Sequence, residues 1–201
     1  CTGGLAGITG LQNDEMITFA KSASTGAVAG LSGAVAADRL STFMKFVGAG
    51  PVAALNKFPG FSVTQKADMA KNSAEGATRG LSQVSTLTTA QYSSMASNLS
   101  SGAVAALNGV MDASKMSPFV SAIGSGPMAA LGSLSTLSDA QKADFAQKSS
   151  EGAVAGMVGI PNMTAAMVAT ATSAMTSSAV GALSGVIDVA KMGSFVSAIG
   201  A

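Results

Sequence analysis

The stretch Phe61–Gly80, FSVTQKADMAKNSAEGATRG, returns 76 residues later as Leu137–Gly156, LSDAQKADFAQKSSEGAVAG. The same shift carries Ser41–Leu55 (STFMKFVGAGPVAAL) onto Ser117–Leu131 (SPFVSAIGSGPMAAL). It also carries Ser101–Val120 (SGAVAALNGVMDASKMSPFV) onto Ser177–Val196 (SSAVGALSGVIDVAKMGSFV). A duplicated unit of this kind buries its apolar face against its neighbours, so the chain reads as a repeat array. Gly4-Leu5 falls 76 positions before Gly80-Leu81, and Ala201 stands where a third Gly-Pro subunit would begin. The expected organisation is one helical repeat domain over 1–201. It comprises full blocks 26–101 and 102–177, partial blocks 1–25 and 178–201, and about 2.6 copies in all, with no stretch left for a separate catalytic domain.

Within each block a small-x-x-x-small-Leu signature recurs. It starts at Gly26, Gly50, Gly76, Gly102, Gly126, Gly152 and, with Ser in place of Gly, at Ser178, so three subunits of 24 to 26 residues make a block. Apolar spacing says what each subunit is. Val63, Ala67, Ala70, Ala74, Ala77, Leu81 and Val84 recur every three or four residues, with Gln65, Asp68, Lys71, Asn72, Glu75 and Arg79 on the other face. That pattern predicts an amphipathic helix of about five turns. Tyr92, Met95, Leu99, Ala103, Ala106 and Val110 repeat it. Ser62 or Thr64, Thr88 or Thr89, and Ser138 are candidate N-caps, and Asp139 favours a first turn. Gly48 and Gly124 are candidate helix ends, with Pro51 and Pro127 opening the next helix; one continuous helix through each is the competing reading. Strand alternation is scarce. The fold class expected is all-α, an α-solenoid-like array of helices about 20 residues long.

Glycine on a helix face lets a neighbouring backbone approach closely. Gly26, Gly30 and Gly33, then Gly76 and Gly80, Gly102 and Gly109, Gly152 and Gly156, and Gly185 occupy repeated positions and are the expected helix-packing residues. Each interior glycine costs about 1 kcal/mol relative to alanine, which close packing has to recover.

Composition excludes several function classes. Charged residues make up 10 % of the chain and the net charge is +1, against about 25 % charged in ordinary soluble domains. Eleven basic residues balanced by ten acidic ones, with one Tyr and no Trp, supply no basic patch for nucleic acid. There is no His, which removes Ser-His relays and the usual zinc sites. No phosphate loop is present; Gly48-Ala-Gly50 and Gly124-Ser-Gly126 precede Pro. Asn13, Asp14 and Glu15 suit a helix start, and Lys66, Asp68, Lys142 and Asp144 suit a solvated face. Twelve methionines raise a soft-metal reading through Met163 with Met167 and Met111 with Met116, but gap-filling between small residues is the simpler role. The expectation is therefore a non-enzyme without cofactor or metal. Gly152 to Ile187 carries no charge, yet Pro161, Asn162 and many Ser and Thr favour a soluble helix over a span.

The chain begins Cys1-Thr2-Gly3-Gly4, and Cys1 is its single cysteine. This terminus resembles that of mature bacterial lipoproteins. The resemblance implies removal of a signal peptide just before Cys1 and acylation of Cys1, with diacylglycerol on its sulfur and a chain such as palmitate on its amine. It also implies a lipid-anchored place in the cell envelope, with Thr2 pointing to the outer membrane. Two or three acyl chains suffice for stable anchoring. A free N-terminal thiol left by proteolysis is the plainer alternative.

Three functions follow as expectations. The first is a structural or interaction lipoprotein, held to membrane lipid through Cys1 and packed into a homo- or hetero-oligomeric assembly. The second is a carrier for an apolar ligand or lipid in a groove, with Phe43, Phe46, Phe119 and Phe195 as its lining. The third, ice or surface binding by threonine-rich helices, needs a regular Thr array that Thr86, Thr88, Thr89, Thr164, Thr170 and Thr172 do not form.

Overall fold

A computed structural model of the chain describes residues 10–32, 34–84 and 87–200. Cys1, Gly4 and Gly33 lie outside the described residues, as does Thr86. Among those described, the chain is an all-α helical array with no strand. In order, the helices are α1 (Asn13–Ser32), α2 (Ala37–Ala53), α3 (Val63–Leu81), α4 (Thr89–Ala105), α5 (Ser117–Ala130), α6 (Asp139–Val158), α7 (Ala165–Leu183) and α8 (Met192–Ile199). The 76-residue shift places α1, α4 and α7 in one class, α2, α5 and α8 in a second, and α3 and α6 in a third.

Helix starts follow local chemistry. Ser62, Thr88 and Ser138 each accept from the backbone N–H three residues on, and Gln65, Gln91 and Gln141 reach back to the cap N–H, closing three capping boxes. Thr164 caps α7 through the Met167 N–H at 3.3 Å. The Gly-Pro segments do not break the chain into two helices. Gly48 and Pro51 lie inside α2, Gly124 and Pro127 inside α5, with each proline in the final turn and followed by a 3₁₀ turn. The continuous-helix reading holds because the missing proline N–H and the relaxed hydrogen bonding of a closing turn coincide.

Each helix packs chiefly on the helix two places away, not on its sequence neighbour. The partnered residues advance together. Asn13 meets Gln65 and Lys21 meets Glu75 between α1 and α3. Thr89 meets Gln141, and Ser100 meets Ser149, between α4 and α6. Helices two apart are therefore parallel, and the helix between them carries the chain back. Two columns result, α1-α3-α5-α7 and α2-α4-α6-α8. The apolar core divides accordingly. One cluster joins the starts of the first column to the ends of the second, through Ile17, Met69, Leu107, Phe119, Ile123 and Met157. The other joins the opposite halves, through Val28, Leu40, Leu81, Leu99, Phe145 and Phe195.

Candidate functional site

The most distinctive geometry is the contact between stacked helices, built on glycine. A Cβ added to Gly76 would overlap the Lys21 carbonyl of α1, and one on Gly80 would stand 2.7 Å from the Thr25 carbonyl. Gly102 meets the Lys45 carbonyl of α2 in the same way. Gly152 meets that of Ser97 in α4, and a Cβ at Gly156 would stand 2.7 Å from Ser101 O. Gly126 faces Lys71 O of α3, where a Cβ would lie at 2.5 Å. Along the signature, then, α3, α4, α5 and α6 each press a glycine onto the backbone of the helix two places earlier. At Ser178, where glycine is replaced, the hydroxyl instead bonds Ser121 of α5 at 2.5 Å.

Small polar side chains line the same seams. Thr25 donates to Gly76 O at 2.9 Å, Asn98 donates to Ser41 at 2.9 Å, and the Ser93 hydroxyl donates to Asp144. Serine suits this place because it satisfies buried polar groups in almost no space. Ser73 is the exception: its buried Oγ has no partner among the described residues.

Four glycines predicted to pack, Gly26, Gly30, Gly109 and Gly185, are not brought against anything described. Gly26 and Gly30 of α1 have no described atom within 4 Å of a would-be Cβ, and the same holds for Gly50, Gly109 and Gly185. Several other expectations need correction. Glu75 is not on a solvated face; it is buried, accepting from Lys21 at 2.6 Å and Arg79 at 3.0 Å. Its repeat mate Glu151 is exposed and pairs with Lys148 at 2.7 Å. Val63 starts its helix 61 % exposed, outside the apolar face assigned to it. The four phenylalanines do not line one groove: Phe119 belongs to the first core cluster and Phe195 to the second, while Phe43 and Phe46 face outward from α2.

Met69, Met95 and Met157 are fully buried as core. Met111, Met116 and Met167 border one cleft of about 330 Å³ beside Ile160. Among the described residues, no three His, Cys, Asp or Glu side chains gather as a cation site. The Lys191 hydrogen bond, at 2.6 Å, holds the Asp139 carboxyl below its ordinary value and raises Lys191 above its own. This pair ties α8 to the start of α6. Of the described helices, α7 is long and apolar enough to cross a membrane by length and composition.

No known family model matches the chain, and no curated protein sequence matches it significantly.

Proposed function

We propose that this chain is a non-enzymatic structural subunit packed into a larger assembly. One observation carries this reading: the large aromatic side chains Phe19, Phe43 and Phe46 are 49, 40 and 66 % exposed on the first two helices. Exposed apolar groups of that size favour association. A chain with 10 % charged residues provides little repulsion against it.

The native size of protein purified from its source tests this. The expected result is a homogeneous species larger than one chain, and a monomer would sink the proposal.

A carrier role is the second reading, favoured by a cleft of about 390 Å³ between α6, α7 and α8. Val154, Met175 and Ile199 form its apolar side and Thr172, Thr176 and Glu151 its polar side. That volume falls within the range of small-ligand sites. Lipid retained through purification under conditions that strip detergent would favour it.

A further inference from the structure

Four of the chain's twelve methionines meet at one junction. The connection from α4 to α5 carries Met111 and Met116; Met163 stands just before α7 and Met167 in its first turn. Along the sequence these are two separate pairs. The fold lays the two segments side by side. Met111, Met116 and Met167 border the cleft of about 330 Å³, and Met163 and Met167 border an adjoining one of about 220 Å³. Ala113, Ser114 and Met167 belong to both, so the four side chains border one continuous opening. Its residues all lie within the complete block 102–177, and described chain bounds it on both sides.

Both walls are pinned by local hydrogen bonds. The Met111 N–H donates to Leu107 O at 3.0 Å and the Met116 N–H to Ala113 O at 3.2 Å. The Met163 N–H donates to Ile160 O at 3.3 Å, and the Met167 N–H to its cap Thr164 at 3.3 Å. Asn162, also on the cleft, holds φ at 64° and is the one described residue other than glycine in the left-handed region. Asn tolerates that conformation, which fixes the turn into α7.

The duplicated unit supplies a control. The positions 76 residues earlier hold Val35, Leu40, Leu87 and Gln91 in place of the four methionines. The two segments meet there too: Leu40 is fully buried, and Gln91 reaches Asp38, the mate of Ser114, at 3.4 Å. Packing at this junction is therefore satisfied without sulfur, and gap-filling does not account for four methionines in the later copy.

What thioethers add over Val, Leu and Gln is a set of soft, neutral donors. Such donors select Cu(I) over harder divalent ions. The unbranched methionine arm has enough rotatable bonds to bring its sulfur to a shared ion. Met116 is 1 % exposed and the other three are half-buried, so an ion between them is shielded yet reachable from solvent. Asp112 lies on the rim paired with Lys115 at 3.3 Å, which leaves the binding to the thioethers. We infer that this cleft binds a soft monovalent cation, Cu(I) or its analogue Ag(I), through the sulfurs of Met111, Met116, Met163 and Met167. The site stands independently of the assembly reading.

The test uses the full chain with Cys1→Ser throughout, so that no thiol competes for the ion. Cu(I), kept reduced without oxygen, is titrated against a coloured Cu(I) chelator. One ion per chain should be held, and zinc should not be. Losing an outer-shell partner already costs about 10–100-fold in metal affinity, so Met111→Leu, Met163→Leu and Met167→Leu together should weaken Cu(I) by at least about tenfold. Met167→Gln, a side chain the earlier copy accommodates, should act in the same direction and replaces the triple variant if circular dichroism shows that one unfolded. Met69→Leu, in the core, should change nothing. With Ag(I), the methyl NMR signals of the four cleft methionines should move while those of Met69 and Met95 stay. A chain that retains no Cu(I), or cleft variants that bind as the parent does, would overturn the site. So would equal weakening by Met69→Leu, zinc held as tightly as Cu(I), or Ag(I) shifts spread evenly over all methionines.

Discussion

Replacing Gly102 by alanine puts a methyl group onto the Lys45 carbonyl, and the only relief is for α2 and α4 to move apart. The expected cost is about 1–3 kcal/mol, the range for overpacking a tight interior. The identical change at Gly26 meets open space and should stabilise by about 0.5–1 kcal/mol through helix propensity alone. Urea unfolding of both variants checks the sign reversal; two destabilisations of equal size would refute the contact geometry. The paired acids make a similar contrast. Glu75→Ala removes a buried acceptor from Lys21 and Arg79 and should cost about 1–3 kcal/mol. Glu151→Ala, on the surface, should stay within about 0.5 kcal/mol. The repeat marks this position acidic in both copies. In α3 it is met by Lys21 of α1 and by the close approach of Gly126 of α5, whereas the residue matching Lys21 beside α6 is Ser97.

For the elements, the caps are local and transferable. Ser138→Ala opens the box with Gln141 and should cost about 1 kcal/mol, read as a fall in Tm of a few degrees for a chain of this size. Ser62, Thr88 and Ser138 were recognisable in the sequence as caps; of their glutamine partners only Gln65 was read, as part of a polar face and not as a reciprocal acceptor. Docking of α8 depends on Asp139 and Lys191 as well as on Phe195. Asp139 is held below 3.8 by the Lys191 hydrogen bond, so its contribution is complete above that value and disappears as pH falls through the lower folded one. Lys191 is raised above 10.5, so its contribution is present below 10.5 and disappears as pH rises through the higher folded one. In a carboxylate NMR titration, Lys191→Ala should return Asp139 toward 3.8. An unchanged midpoint would mean that the pair does not form in solution.

For the whole molecule, a column of helices touching mainly their second neighbours behaves as a one-dimensional array, strongest where both neighbours are present. Hydrogen exchange should be slowest in α4 and α5, covered from both sides, and fastest in α8, which has eight residues and one stacked partner. Equal protection throughout would point instead to a single cooperative core.

The sequence by itself determined the helical class and the 76-residue period, because both are written in local spacing that survives duplication. What it could not show is which face of a repeated helix is covered. Phe19 and Met95, or Glu75 and Glu151, occupy equivalent positions, and their burial differs only through what stacks on them. The pairing of helices two apart and the two-column core were decided by tertiary structure. So was the burial of each repeated residue, for a physical reason: burial belongs to a residue's neighbours in space, and a repeat places equivalent residues in different surroundings.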